Sequence, residues 1–287
     1  MASPLVSVIL PTLNGSLYIK RAIESVLSQT YKNMEIVVVN DGSNDDTLSI
    51  IAELAKVYDS IRIINNGHNI GFVKSLVKAA REVSGQYIAR IDDDDVWIDK
   101  KKIAKQVNFL ESQNDYVLVG GGVVIKKENG KEVVRYLFPK EDSQIRKSLL
   151  IYNLFLHSSV VFSKKAYDRV GGYNEKFGFF ADADLWLKLG TVGRLYNFPE
   201  YFVVYLDKED GTNKYDKRDT EIRRRLFLRI VMKWQYRKKY PGFLKALLFC
   251  IGSCIYSFLP FREKIKPFLF QASTKLFGTP YKYQNYN

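Results

Sequence analysis

The chain has 287 residues, of which 46% are hydrophobic and 26% charged. This composition is that of an ordinary globular protein, and it excludes disordered, repeat and low-complexity proteins. The cysteines, Cys250 and Cys254, stand four apart in an apolar run, so we interpret them as small core residues and not as a zinc site or a disulfide. No basic, apolar leader precedes the first strand-like run, so we expect no signal peptide and a cytoplasmic location.

The net charge of +13 is concentrated in the last part of the chain. From Lys208 to the end there are 18 basic and 6 acidic residues, whereas the first 207 residues are nearly neutral. A basic segment of this kind indicates contact with something anionic, either nucleic acid or a phospholipid surface.

Short apolar runs alternate with helical patterns over the first 91 residues. The runs at 6–10, 35–40, 61–64 and 87–91 predict strands, and the segments at about 17–27, 47–58 and 72–83 predict the helices between them. This order predicts a doubly wound, mostly parallel α/β sheet with right-handed crossovers. Its carboxyl edge would gather Thr12, Asp41 and the aspartates after residue 91 into one crevice.

Mixed elements are expected after residue 98. The pattern predicts helices at 99–113, 143–151, 164–170 and 182–189, and strands at 116–125, 133–137, 159–162 and 201–205. Because Asn-Gly favours tight hairpins, Asn129 and Gly130 should join the strands at 116–125 and 133–137.

Four consecutive aspartates, Asp92 to Asp95, follow the fourth predicted strand. So many like charges repel at a sheet edge where ligands normally bind, and a divalent cation would relieve that repulsion. Oxygen-only ligands suit Mg²⁺ or Mn²⁺, which usually share their coordination shell with substrate phosphates. The alternative is a solvated acidic turn with a helix N-cap from Asp95 or Asp99.

Two further helices are expected after Asp207. Ile222, Leu226, Ile230 and Trp234 recur every four residues among arginines and lysines, which is typical of a basic amphipathic helix. Residues 243–259 are mostly apolar but at the short limit for crossing a bilayer of ~30 Å, so we expect them to lie in a membrane interface. The alternative is that both helices pack back on the preceding domain.

A series of short motifs stands in order along residues 6–187. They read VSVILPTLN (6–14), SVLSQTY (25–31), EIVVVNDGS (35–43), NIG (69–71), GQYIARIDDDD (85–95), HSS (157–159), GGY (171–173) and DADLWL (182–187). Together these motifs resemble the family 2 inverting glycosyltransferases of GT-A fold, which use nucleotide-sugar donors. The resemblance implies an α/β fold of GT-A type with a helical C-terminal extension.

The resemblance also implies a donor site. Asp41 would hydrogen-bond the base or ribose of the nucleotide, unless it is only a turn aspartate before Gly42. Asp92 and Asp94 match the family's Asp-x-Asp element and would position the Mn²⁺ or Mg²⁺ that neutralises the departing diphosphate. Further nucleotide-sugar contacts are expected from Pro11, Thr12, Asn14, Lys74, Arg90, Asp93 and His157. The alternatives are that Lys74 and Arg90 are solvated or ion-paired and that His157 is a buried structural residue.

A carboxylate in the last motif matches the general base of the family. Asp182 would take the proton of the acceptor hydroxyl, provided that partial burial raises its pKa. The family commonly has glutamate before the base where this chain has Ala181, so Asp184 is the alternative, and an N-cap role for Asp182 stays open. Trp97 and Trp186 are either sugar-stacking or core residues.

The resemblance implies a metal-dependent, inverting and non-processive transferase. It would move a sugar from a UDP-, GDP- or dTDP-sugar to a lipid-linked or cell-surface glycan, at the inner face of the cell membrane. Residues 1–207 would form the transferase domain, with a nucleotide-sugar half of about 1–125 and an acceptor half of about 126–207. Residues 208–287 would form the membrane-associating extension.

Three other functions are less favoured by the sequence. A protein or wall-polymer acceptor is compatible with the same fold, with the basic extension gripping an anionic acceptor. A nucleic-acid-binding protein is not expected, because the first 207 residues are nearly neutral and the extension is too apolar for a nucleic-acid arm. No Gly-x-Gly-x-x-Gly follows the first strand, which excludes a dinucleotide oxidoreductase.

Overall fold

The computed structural model describes residues 3–208, 219–258 and 282–285. The strands are β1 (Val6–Thr12), β2 (Met34–Asn40), β3 (Ile61–Asn65), β4 (Tyr87–Arg90), β5 (Val96–Trp97), β6 (Tyr116–Lys127), β7 (Glu132–Leu137), β8 (Val161–Ser163), β9 (Arg194–Asp207) and β10 (Lys282–Asn285). The helices are α1 (Ile19–Leu27), α2 (Thr47–Val57), α3 (Phe72–Glu82), α4 (Lys102–Ser112), α5 (Asp142–Ser148), α6 (Lys164–Arg169), α7 (Ala181–Leu189), α8 (Asp219–Tyr236) and α9 (Phe243–Phe258). Short 3-10 turns form at His157–Ser159 and Glu175–Phe180.

The first four strands form the parallel part of the sheet, in the order β4-β1-β2-β3. Alternate residues of the strands face opposite layers of helices. Ile9 and Val37 pack with Leu76 of α3, whereas Val8 packs with Ile23 of α1 on the other face. Because both faces are covered, all seven residues of β1 are buried, and the predicted doubly wound arrangement is confirmed.

The rest of the same sheet is mixed. β8 lies antiparallel to both β4 and β6, and β6 pairs antiparallel with β7 and parallel with β9. The predicted hairpin between β6 and β7 is confirmed, and Gly130 takes the positive φ of +82° that its turn requires. β10 pairs antiparallel with the outer side of β7.

Several predicted boundaries were wrong for local reasons. α4 begins at Lys102 and not at 99, because the Asp99 carboxylate accepts a hydrogen bond from the backbone N–H of Lys101 in a turn before the helix. α5 ends at Ser148, and the apolar residues after it enter the core from a loop. The strand predicted at 201–205 is the end of β9, whose start was missed because Pro199 interrupts the apolar pattern.

The two C-terminal helices pack back on the sheet domain. Met232, Tyr236 and Tyr240 join the core cluster that contains Leu150 and Leu185. This packing is the alternative that the sequence left open, and the described part of the chain has no helix long and apolar enough to span a bilayer.

Part of the surface of these helices faces outward. Phe227, Trp234, Leu244, Leu248 and Ile255 are each more than half exposed. Contact with a membrane interface therefore stays a prediction for this outer surface. On the inner side, Cys250 is fully buried and Cys254 half-buried, and both are free thiols, as expected.

Candidate active site

A cavity of about 1170 Å³ opens at the carboxyl edge of the parallel strands. Its wall is built by the ends of β1, β2 and β4, the start of α3, the loop after α5, the start of α7 and one side of α8. The predicted site residues that line it are Pro11, Thr12, Asp41, Lys74, Asp92, Asp93, Asp94, His157 and Asp182. Three predicted residues, Asn14, Arg90 and Asp184, do not line it.

The first aspartate of the run is held from behind. Arg90 is fully buried and ion-paired with Asp92, and the backbone N–H of Asp92 donates to the Ser158 hydroxyl at 2.9 Å. Burial opposes the ionisation of Asp92, but the Arg90 guanidinium outweighs it and holds the pKa of that carboxyl below its usual value. Asp92 is therefore a fixed carboxylate in the cavity wall.

The next three aspartates would carry more negative charge, if all were ionised, than the nearby cations balance. Burial and the neighbouring Asp94 and Asp92 raise the pKa of Asp93 to about 6, although the Thr12 hydroxyl donates to it. Asp94 pairs with Lys208 at 2.8 Å. Asp95 is only 1% exposed, and burial beside Asp92 and Asp94 raises its pKa well above the usual value.

This excess charge and the oxygen ligands match the requirements of a divalent cation. In the part of the chain that the structure describes, no three His, Cys, Asp or Glu side chains form a group that could hold a metal ion. A cation here could be held by Asp92 and Asp94, with its other ligands from substrate phosphates and water, as Mg²⁺ is commonly bound.

Asp41 lines the cavity and also orders the loop that leads into α3. Its carboxylate accepts hydrogen bonds from the backbone N–H groups of Ile70 at 2.9 Å and Gly71 at 3.0 Å, and from the Asn66 side chain at 2.9 Å. Gly42 is required beside it, because its φ is +78° and a Cβ there would lie 2.4 Å from the His68 backbone. Asp41 is thus a loop anchor where β2 ends at the cavity.

Three other predicted contacts have distinct environments. Asn14 is exposed, and its side-chain oxygen accepts from the Asn44 backbone N–H at 3.0 Å, outside the cavity wall. Lys74 is exposed in the first turn of α3 and lines the cavity. Arg90 lies behind Asp92, with its guanidinium 5.3 Å from the centre of the Phe72 ring, so it reaches the cavity only through Asp92.

His157 stands between the aspartates and the apolar core. Its Nε2 lies 2.8 Å from the Tyr173 hydroxyl, and its ring makes edge contacts with Phe72 and Trp186. Burial, with the nearby Arg90, lowers the pKa of His157 well below its usual value. The imidazole is therefore neutral at physiological pH.

Asp182 lies in the first turn of α7, where it faces the cavity. Its carboxylate accepts hydrogen bonds from the Asn153 side chain at 2.7 Å and from the Ala183 backbone N–H at 2.7 Å. Burial raises the pKa of Asp182 to about 6, against the lowering effect of these donors. A carboxylate with this pKa is suited to accept a proton near neutral pH.

Asp184 is in a different position. It is fully buried, ion-paired with Lys188 at 3.0 Å, and accepts a hydrogen bond from the Tyr236 hydroxyl at 2.9 Å. Trp186 is also fully buried, and Trp97 is 3% exposed with its indole N–H donating to the Ser158 carbonyl at 2.7 Å. Both tryptophans are therefore core residues and not sugar-stacking surfaces.

Some cavity residues could not be found from the sequence. Asn153, Lys208, Arg229 and Lys233 were not predicted as site residues, because contacts between distant segments bring them to the cavity or to its aspartates. The sequence offered one signal for these residues, which is the polar Asn153 within an otherwise apolar stretch.

Comparisons with known proteins show the family of the chain. The family model described as glycosyl transferase family 2 matches residues 7–171. An uncharacterized glycosyltransferase of Haemophilus influenzae is 34% identical over 70% of this chain and 65% of its own length. The protein named glycosyltransferase EpsE of Bacillus subtilis is 34% identical over 73% of this chain and 75% of its own. The chain thus spans about two thirds to three quarters of the lengths of these relatives.

One relative extends into the C-terminal helices. The amylovoran biosynthesis glycosyltransferase AmsE of Erwinia amylovora is 26% identical over 90% of this chain and 94% of its own.

Two solved structures have the same fold. The mannosyltransferase PcManGT of Pyrobaculum calidifontis, in complex with GDP-Man and Mn²⁺, superposes with a TM-score of 0.62 at 18% identity and covers 96% of this chain and 76% of its own. TarS 1-349 of S. aureus, in complex with UDP-GlcNAc, has a TM-score of 0.59 at 17% identity and covers 96% of this chain and 90% of its own.

Proposed function

Because the chain belongs to glycosyl transferase family 2, we propose that it transfers a sugar from a nucleotide-sugar donor to an acceptor hydroxyl, non-processively and with inversion at the anomeric carbon. The observation that carries this proposal is the convergence of Asp41, the aspartate run and Asp182 on one cavity. The ligands of the two similar structures, GDP-Man with Mn²⁺ and UDP-GlcNAc, support a nucleoside-diphosphate sugar as donor.

The donor would occupy the end of the cavity where β1, β2 and β4 finish. Its base and ribose would lie against Pro11, Thr12 and the Asp41 loop, and Lys74 is placed to contact a phosphate. Asp92 and Asp94 would hold Mn²⁺ or Mg²⁺, which when bound neutralises the charge of the departing diphosphate. Arg90 acts as a positioning residue, because its ion pair keeps Asp92 ionised and in place.

Asp182 is the proposed general base. As the acceptor oxygen attacks the anomeric carbon from the face opposite the diphosphate, its proton passes to the Asp182 carboxylate. One carbon–oxygen bond forms while the bond to the diphosphate breaks, which inverts the centre. Asp184 is not proposed as the base, because it is buried away from the cavity and bound by Lys188 and Tyr236.

The proposed acceptor is a lipid-linked or cell-surface glycan at the inner face of the cell membrane. The support for this setting is the basic charge after residue 207, together with the exposed apolar side chains of α8 and α9. A protein or wall-polymer acceptor remains the alternative for the same fold.

A thermal-shift screen tests the proposed reaction at its first step. The purified protein is heated with UDP-, GDP-, dTDP- and CMP-sugars, each with and without Mn²⁺. We expect one nucleotide to raise the unfolding temperature selectively and only with the metal, since ligand at a hundredfold over its Kd adds about 2.7 kcal/mol. The absence of a shift with every donor would contradict the proposed donor site.

A further inference from the structure

The end of the cavity formed by α8 contains two neighbouring cations. Arg229 and Lys233 lie one helical turn apart and both line the cavity. In the described part of the chain, neither side chain forms an ion pair with a carboxylate. Uncompensated positive charge therefore faces a cavity whose other end carries the aspartates.

Contacts with the core hold these cations in place. Lys233 is 4% exposed, and its ammonium donates to the backbone carbonyls of Leu150 and Ile151. The Arg229 guanidinium lies 5.7 Å from the centre of the Phe180 ring and 5.8 Å from that of Phe249. Burial, with a smaller contribution from the nearby Arg229, lowers the pKa of Lys233 to about 8.

The surroundings of Arg229 are apolar. The cavity wall at this end includes Leu149, Ile151, Leu187 and Met232. α9, which supplies Phe249, also exposes Leu244 and Leu248 to solvent. A ligand here would meet a positive charge together with aliphatic and aromatic surface, which suits an amphiphile with an anionic group.

Asp182 lines the same cavity as the aspartates and α8. If the donor occupies the aspartate end, the acceptor must approach Asp182 from the α8 end, with its hydroxyl toward the Asp182 carboxylate. Two adjacent cations match an anion with several oxygens and more than one negative charge, such as a phosphate or diphosphate. A carboxylate would balance only one of them.

We propose that the α8 end of the cavity binds the phosphate group of an amphiphilic acceptor, with Arg229 as its principal ligand. This inference rests on the proposed function, because it assigns the chemical class of the acceptor in that reaction. Lys233 adds positive charge, and the apolar wall receives the part of the chain next to the phosphate.

The test measures binding of decyl phosphate to the full chain by titration calorimetry, with decanol and inorganic phosphate as comparison probes. The wild type should bind decyl phosphate more tightly than either comparison probe. Arg229→Gln should weaken the binding of decyl phosphate by about 10- to 100-fold, because a charge-assisted hydrogen bond to a phosphate is lost. Arg229→Lys should retain most of the affinity.

Arg223→Gln is the matched control, because Arg223 lies on the same helix, is exposed and does not line the cavity. This substitution changes the net charge by the same amount as Arg229→Gln. It should leave binding unchanged. Equal affinity of the wild type and Arg229→Gln would overturn the inference, as would equal losses in the two glutamine variants or equal affinity for inorganic phosphate. If Arg229→Gln does not fold, the inference is still tested by two results. These are the affinities of the wild type for the three probes and the affinity of Arg229→Lys for decyl phosphate.

The donor thermal shift separates this inference from the proposed function. Arg229→Gln should keep the metal-dependent shift with the selected donor, since Arg229 lies away from the aspartates. Arg229-dependent binding of decyl phosphate without any donor shift would support the anion site and contradict the proposed transfer. A donor shift without decyl phosphate binding would support the transfer and overturn the anion site.

Discussion

Two opposing effects prepare Asp182 to accept a proton. Burial at the cavity wall disfavours the carboxylate, while the donors Asn153 and Ala183 favour it, and the pKa of Asp182 comes to about 6. The neighbouring Asp184 has different partners, Lys188 and Tyr236, which occupy its carboxylate in the core. Identical side chains two residues apart thus have different environments, one at the cavity and one in the core.

The pH dependence of turnover tests the assignment of Asp182. Because the base must be ionised, kcat should fall as the pH drops below about 6. Asn153→Ala removes a donor that favours the carboxylate, so the pKa of Asp182 rises and the acid limb of the kcat profile moves to higher pH. An unchanged acid limb in this variant would mean that another group, such as Asp93, controls it.

We expect Asp94 and Asp182 to act in different steps of the reaction. Asp94 should be needed for donor binding and Asp182 for turnover. Asp94→Asn should abolish metal-dependent donor binding in the thermal-shift assay, since it removes a proposed metal ligand. Asp182→Asn should retain donor binding and lower kcat by about 10²- to 10⁴-fold, the usual contribution of a general base. Metal-dependent donor binding that survives in Asp94→Asn would refute the metal assignment.

At the scale of elements, α8 closes the cavity and supports α7. Lys233 donates to the loop after α5, which carries Asn153, and the Tyr236 hydroxyl donates to Asp184 of α7. Tyr240, in the turn after α8, donates to the Leu187 carbonyl at 2.8 Å. The C-terminal helices therefore hold the two segments that present Asp182 and its partner.

Tyr236→Phe tests this support. The variant leaves a buried carboxylate short of one donor, so the free energy of unfolding should fall by about 1–3 kcal/mol. The measurement is urea unfolding, with Tyr58→Phe as the matched control. Tyr58 is 40% exposed, and this change should stay within about 0.5 kcal/mol. Equal stability of the two variants would show that α8 adds little to the sheet domain through this contact.

At the scale of the whole molecule, charge and apolar surface coincide on one region. The segment after residue 207 holds 18 basic and 6 acidic residues, and α8 and α9 expose apolar side chains between some of them. The helices α8 and α9 can pack their inner faces against the sheet domain and still leave their outer faces free to meet a membrane. An amphipathic helix can pack through one face and, as predicted here, meet a membrane interface through the other.

Sedimentation with lipid vesicles tests the membrane prediction. The full chain should bind vesicles that contain phosphatidylglycerol better than vesicles of phosphatidylcholine, and less tightly at high salt, because exposed charges are screened. Replacing Leu244 and Leu248 together by serine should weaken binding, whereas Val57→Ser, at an exposed site on α2, should not. Salt-sensitive binding to DNA of any sequence, without binding to vesicles, would favour the nucleic-acid alternative.

The sequence by itself determined the parallel part of the fold and nine of the residues that line the cavity. Strand and helix periodicities are local, and the strands of a parallel sheet end at one edge, so Thr12, Asp41 and Asp92 had to lie close together. The motifs added Asp182 at the start of a helix. None of these conclusions required knowledge of contacts between distant segments.

Only the tertiary structure decided which of these residues face the cavity. It distinguished Asp182 from Asp184 and located Arg90 behind Asp92, because burial depends on the segments packed around each side chain. It also brought Arg229 of α8 to the cavity that Asp182 lines, although the two residues are far apart in the sequence. A periodic pattern identifies the apolar face of a helix but not the surface that this face covers, and that choice is made by packing.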